Sequence, residues 1–307
     1  MSFNVVAPLM IYILIGMALN RFGVLSASAC REISQMVFYT ALPALCFNSI
    51  VKTDFSAILA DPFALYIAGG IVALFAACMA LVPLFCKDNR RRGVLVQGIF
   101  RSNDGIFGLA VASALMGEEN MGLMSLCVAL SVPLFNSFAV IDMEAFRGGR
   151  VGVGKLMLRV VKNPVVIACI LAVGLNLLKV RLPQALDDTI ARIGGVSAPV
   201  GFIALGGALS FATVRKNRRA IGMVSLLRLL VSPILFVGLM YLMGYRGDHL
   251  LVALIIFGAP TAMSTYAMAC AMDGDEELAS GAVAVTSVLS ILTMFMFIFL
   301  LKELGVA

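Results

Sequence analysis

Arg101, Asn103 and Asp104 stand together in the stretch FRSNDGIFG, residues 100–108, with apolar runs on both sides. A guanidinium is a rigid fork of donors that fits a carboxylate, and an asparagine offers both a donor and an acceptor. A carboxylate in apolar surroundings suits proton or cation coupling. The chemistry these types serve is binding of a small organic anion, with Asp104 as the coupling group. A second reading stays open: Arg101 and Asp104, three residues apart on one helical face, neutralise each other.

A second stretch repeats the first. Shifting the chain by 157 residues lays IFRSNDGIFGLAVASALMGEE, 99–119, over IFGAPTAMSTYAMACAMDGDE, 256–276, so that Asn103 meets Pro260. A shift of 156 puts Pro8 on Pro164, Asn20 on Asn176, Val24 on Val180 and Pro43 on Pro199. Proline removes a backbone donor, and Asn, Asp and Gly compete with helical geometry, so both stretches are expected to unwind at mid-depth. Unwound backbone inside a bilayer is tolerated only where protein buries it or where it lines a cavity. Two such breaks at matched positions predict one shared central site, with half-helix amino termini turned toward an anion.

The candidate substrate-binding residues are accordingly Arg101, Asn103, Asp104, Gly105, Ala259, Pro260 and Thr261, with Pro43 shaping the facing wall or simply kinking its helix. Asp104 and Ser264 are the ion-coupling candidates. Thr265 and Tyr266 supply further hydroxyls that suit either a polar cavity or helix packing. Arg228, about two turns from a basic loop, is expected to snorkel to the headgroups. Asn136, Gln97, Gln35, Asn20 and Asn176 read as interhelical or interfacial hydrogen-bond partners.

The elements that position these residues follow from composition. Of 307 residues 61% are hydrophobic and 13% charged, and mean hydropathy is +1.03, which excludes a soluble globular class. Ten apolar segments are expected, at 4–20, 31–51, 62–86, 94–116, 120–142, 160–179, 184–212, 220–243, 250–272 and 277–301. The first reads as a retained helix, because it carries no basic leader and no cleavage pattern. Basic residues cluster in KDNRRR, 87–92, in the loop with Arg147, Arg150, Lys155 and Arg159, and in RKNRR, 215–219. All follow odd-numbered segments, which puts these loops, with Arg21, Arg31 and the acidic DGDEE, 273–277, in the cytoplasm and both termini outside the inner membrane.

Five segments per repeat is an odd number, so the second copy enters the membrane inverted. The expected fold is all-α and polytopic: ten transmembrane helices in two inverted repeats, 1–145 and 156–307, with segments four and nine broken. That architecture points to alternating-access transport rather than catalysis.

Other motifs carry little. GRVGVGK, 149–155, has the G-x-x-x-x-G-K spacing, but Leu156 replaces the metal-binding hydroxyl and strand–loop–helix context is missing. Seven cysteines without metal or disulfide spacing and a lone His249 give no metal centre, cofactor or His-based chemistry. The net charge of +6 reports orientation, not a nucleic-acid partner. A channel or membrane sensor is the alternative of a different class, although the chain leaves no room for a soluble output domain.

The opening helix with Pro8, RSNDGIFGLA at 101–110, KNPVVIA at 162–168, APVGFIALGGALS at 198–210 and FGAPTAMSTYAMA at 257–269 together resemble the auxin efflux carrier family, within the wider group of bile-acid/sodium symporters. The resemblance covers essentially the whole chain. It implies a scaffold of helices at 4–51 and 160–212, a moving transport domain at 62–142 and 220–301, an elevator mechanism and a homodimer. The family's crossover asparagine corresponds to Asn103 and its second crossover proline to Pro260. Small organic acids are the substrates it implies, driven by protons or, as in the symporters, by Na⁺. The chain departs from the family in placing Asp104 where a neutral residue is usual, and in following Asn103 with Asp-Gly rather than leading to a proline.

Overall fold

The computed structural model describes residues 2–117, 120–147 and 152–306. Arg150, the first three residues of GRVGVGK, and the acids Glu118 and Glu119 at the end of the repeat match lie outside the described residues. The described chain is helical. Its elements are α1 (Ser2–Arg21), α2 (Ala27–Val51), α3 (Phe55–Ala60), α4 (Pro62–Phe85), α5 (Asn89–Phe100), α6 (Asp104–Met116), α7 (Gly122–Phe146) and α8 (Val153–Val161). They continue with α9 (Pro164–Leu177), α10 (Gln184–Ala208), α11 (Phe211–Lys216), α12 (Arg218–Leu242), α13 (Asp248–Gly258), α14 (Ser264–Ala271) and α15 (Glu276–Glu303).

Six of these, α2, α4, α7, α10, α12 and α15, are long and apolar enough to cross a membrane. A seventh is added if α8 and α9, bent by 71° at Lys162–Asn163, count as one span. The bend corrects the expected segment at 160–179: Pro164 cannot continue α8, and Asn163 instead caps α9 by accepting from the Val165 N–H at 3.0 Å. The expected segment at 184–212 ends earlier, at Ala208. Broad apolar side chains such as Leu84, Leu242 and Phe211 stay exposed on the outer faces, where hydrocarbon rather than water is the matching solvent.

Prolines shape the long helices. A π-helical turn at Val37–Ala41 precedes Pro43 in α2, and another at Leu227–Val231 precedes Pro233 in α12. A proline has no N–H for the carbonyl one turn back, and the wider turn absorbs the mismatch.

α1 lies against the second half of α10 at close range. A Cβ added at Gly16 would collide with the Ile203 carbonyl, and one at Gly206 with the Ile13 backbone. Small residues allow this approach, which gains dispersion contacts that bulky side chains would forbid.

The 156-residue offset reappears in the backbone. α1 ends with Gly23 N–H donating to Asn20 O at 3.0 Å and Val24 N–H to Leu19 O at 2.9 Å. α9 ends with Lys179 N–H donating to Asn176 O at 3.0 Å and Val180 N–H to Leu175 O at 3.0 Å. Gly23 and Lys179 both take a left-handed conformation, with φ of 74° and 54°, as this form of helix stop requires.

The acidic loop after α14 sits among the basic ones. Arg31 pairs with Glu276 at 3.1 Å, Lys216 with Glu277 at 3.1 Å and Arg147 with Asp273 at 2.9 Å. Arg90 donates to the carbonyls of Asp273 and Gly274, both at 3.1 Å. One face of the molecule therefore gathers all these loops, although exposed pairs of this kind add little stability.

Candidate functional site

Two helices break at the centre, and the breaks touch. α5 stops at Phe100 and α6 starts at Asp104; α13 stops at Gly258 and α14 starts at Ser264. Ser102 and Thr261 form an isolated antiparallel bridge. Asn103 N–H donates to Pro260 O at 2.9 Å, and Ala262 N–H to Arg101 O at 3.4 Å. Backbone groups that lose their helical partners thus find them in the opposite break, which meets the requirement that buried amides be paired.

The carbonyl ends of α5 and α13 meet here as well, and both carry partial negative charge. Arg228 neutralises them. Its side chain is completely buried, with Nε donating to Ala259 O and Nη2 to Ile256 O, each at 2.8 Å, and Nη1 to Phe100 O at 3.0 Å. This corrects the expectation that Arg228 snorkels: unpaired carbonyls at the break outcompete the headgroups for its five donors.

Thr261 is spent on the same job. Its Oγ1 donates to Gly98 O at 2.8 Å and its N–H donates to Thr286 Oγ1 at 3.2 Å. Ala259, Pro260 and Thr261 therefore build the crossover and do not line the cavity beside it.

That cavity, of about 240 Å³, is walled by Arg101, Asn103, Asp104 and Gly105 from the first break and by Ala262 and Ser264 from the second. Leu42, Leu45, Asn48 and Ser49 of α2 and Val132, Phe135 and Asn136 of α7 close it. Of the candidates read from sequence, Arg101, Asn103, Asp104, Gly105 and Ser264 come together here. Pro43 does not reach it; its neighbours Leu42 and Leu45 do.

The two charges have separate partners. Arg101 donates through Nη1 to Gln97 Oε1 at 3.1 Å and contacts Met268 Sδ at 3.2 Å, while Nη2 donates to Asn136 Oδ1. Asp104 accepts from Ser131 Oγ and occupies the first turn of α6, where the helix dipole favours an anion. Three buried polar atoms near the cavity, Asn103 Nδ2, Ser102 Oγ and Asn48 Oδ1, have no hydrogen-bond partner among the described residues. Such groups cost on the order of 1–3 kcal/mol each unless something else meets them.

Sequence reasoning missed Ser131 and did not distinguish Asn136 from other polar residues. The signal was present in LSVPLFNS, 130–137, where Ser131, Pro133 and Asn136 interrupt an apolar helix. The remaining interhelical expectations are met: Gln35 Nε2 donates to Cys270 O at 3.0 Å, and Asn176 Nδ2 to the carbonyls of Val51 at 3.0 Å and Thr53 at 2.8 Å. Asn20 Nδ2 instead donates locally, to Leu25 O at 2.8 Å.

Residues 1–151 and 150–298 each match the family described as membrane transport protein. Three relatives align along most of their length. An uncharacterized transporter of Methanothermobacter thermautotrophicus is 27% identical over 304 residues, covering 95% of this chain and 96% of its own. An uncharacterized transporter of Methanocaldococcus jannaschii is 24% identical over 300 residues, covering 95% and 96%. A protein of Rhizobium meliloti named "Putative malonate transporter" is 23% identical over 279 residues, covering 88% and 87%.

Proposed function

The chain belongs to the membrane transport protein family, whose auxin efflux carrier character the sequence motifs carry, and from that premise we propose that it is a secondary carrier of a small organic anion. The observation that carries the reading is the cavity at the crossed breaks, lined by Arg101 and by Asn103, whose Nδ2 has no hydrogen-bond partner among the described residues. A mono- or dicarboxylate fits that chemistry: a charged fork for one carboxylate, an amide donor for its second oxygen, and apolar walls from Leu42, Leu45, Val132 and Phe135. The name of the R. meliloti relative makes malonate the first ligand to try.

In this reading the chain is ten transmembrane helices, two inverted repeats at 1–145 and 156–307, with α5–α6 and α13–α14 as the broken fourth and ninth. The helices at 4–51 and 160–212 are the scaffold, and those at 62–142 and 220–301 carry the site across by an elevator movement. The interlocked glycines of α1 and α10 suit a rigid scaffold, which in turn suits pairing as a homodimer. The face gathering the basic loops is cytoplasmic, with both termini on the far side of the inner membrane.

Proton coupling is the leading reading. Sodium coupling is favoured by one observation, that Asp104 and Ser264 line the same cavity. Uptake of labelled malonate into vesicles containing the purified protein tests the class. A carrier gives saturable uptake that responds to an imposed pH gradient, whereas current that does not saturate identifies a channel and overturns the proposal.

A further inference from the structure

A cationic pocket and an apolar groove meet at one arginine, and neither shares a residue with the central cavity. The pocket, of about 740 Å³, lies where α11 turns into α12 on the basic face, and Arg91, Arg215, Lys216, Asn217, Arg218 and Arg219 line it. No acidic side chain is among the described residues that do so. Two of the cations are partly spent: Lys216 pairs with Glu277 at 3.1 Å, and Arg91 stands 3.6 Å from Asp275 and donates to Asn217 Oδ1 at 3.0 Å. Arg215, Arg218 and Arg219 are exposed and make no side-chain ion pair or hydrogen bond among the described residues. Asn217 precedes α12 without capping it, because its Oδ1 serves Arg91, so the positive end of the helix dipole adds to their field.

The groove, of about 460 Å³, is lined by the same Arg218 and by residues of α12 and α15, which pack on each other. Both helices are long and apolar enough to cross a membrane, and the Lys216–Glu277 pair sets their first residues on one face. From Arg218 to Leu230, the furthest α12 residue in the groove, the helix rises about 18 Å, against ~15 Å of hydrocarbon in half a bilayer. The groove therefore runs the depth of one leaflet, with cations at its mouth. Leu226, Leu289 and Leu292 of its walls are exposed, and a Cβ added at Gly222 meets nothing within 4 Å, so it stands open. Ser225 also lines it, buried, with no hydrogen-bond partner for its Oγ among the described residues. A glycerol ester carbonyl would supply the missing acceptor.

We propose that pocket and groove together bind one anionic phospholipid from the leaflet on the basic-loop side, with its phosphate among Arg215, Arg218 and Arg219 and an acyl chain along α12 and α15. Membrane topology alone gathers arginines on such a face. It does not require an apolar groove beneath them, and a free phosphate makes no use of one. A zwitterionic headgroup fits less well, because its cation finds no acid in the pocket. The site is independent of the central cavity and of the anion bound there.

The test is native mass spectrometry of the purified full-length protein, titrated in detergent with dioleoyl-phosphatidylglycerol, dioleoyl-phosphatidylcholine or glycerol 3-phosphate. The wild type should retain one copy of phosphatidylglycerol at least about tenfold more tightly than phosphatidylcholine, since each basic side chain near an anionic headgroup contributes about 1 kcal/mol. Glycerol 3-phosphate, the headgroup without tails, should not displace it. Arg218→Ala combined with Arg219→Ala should weaken retention about tenfold or more, and Gly222→Phe, which fills the groove from its open side, should do the same. Lys155→Ala, a basic residue outside the pocket, is the control for general surface charge. Equal retention of the two lipids, or an equal loss in Lys155→Ala, overturns the proposal. Displacement by glycerol 3-phosphate would make the pocket a site for soluble phosphates and also overturns it. Unchanged lipid retention in Gly222→Phe, with a shift from dimer to monomer, would give the groove to a second copy of the chain instead. The wild-type comparison decides the headgroup even if a variant fails to fold, which melting curves without added lipid reveal.

Discussion

The guanidinium of Arg228 donates to the carbonyl of Ala259 at 2.8 Å, so that a side chain of α12 ends α13. The same group reaches Phe100 of α5 and Ile256 of α13, and one arginine therefore caps both helices that stop at the break. Arg228→Ala strands those carbonyls without donors, and each buried unmet group costs about 1–3 kcal/mol. The expected result is a large drop in melting temperature in detergent. Arg228→Lys recovers only part of it, because a point charge cannot span three carbonyls as a planar fork does.

Asn136 fixes the Arg101 side chain from α7. Asn136→Ala should raise the dissociation constant for malonate about tenfold, roughly 1.4 kcal/mol, with little change in folding. Asn136→Asp should weaken binding further, although it preserves a partner for Arg101, because a fixed anion then competes with the ligand. Titration calorimetry on the three proteins checks the order.

Packing of α1 on α10 should tolerate no side chain at Gly206, where a Cβ meets the Ile13 backbone. Gly206→Ala should destabilise by about 1–3 kcal/mol, the usual cost of overpacking. Gly69→Ala on α4 is the control: nothing stands within 4 Å of the added atom, and the melting temperature should hold or rise slightly.

How far the site could be read in advance depended on where its signal was encoded. The breaks at Ser102–Asn103 and Ala259–Pro260 announce themselves through residue types that oppose a helix, and the 157-residue offset pairs them. Arg228 was misread because its partners are backbone carbonyls, which every residue has and no sequence distinguishes. Thr261 and Pro260 were placed in the correct break but on its structural side, since a one-dimensional match does not say which face of an unwound turn meets the cavity. The bend at Asn163 was encoded in KNP, yet a continuous apolar run obscured it.

The boundary between the proposed scaffold and transport domain is crossed by a bond from Gln35 of α2 to the Cys270 carbonyl of α14. If the domains slide, that contact breaks. Gln35→Cys should be joined to the native Cys270 by a short thiol cross-linker, in a background lacking the other cysteines. The linked protein should lose uptake and regain it on cleavage; full activity while linked would contradict the movement.

The most direct measurement is malonate binding to Arg101→Ala and Asn103→Ala by calorimetry, with melting curves as the control for folding. The account predicts saturable binding to the wild type, and at least about a tenfold loss, ~1.4 kcal/mol, in each folded variant. Wild-type affinity in both variants would place the anion elsewhere and contradict the crossover cavity as its site.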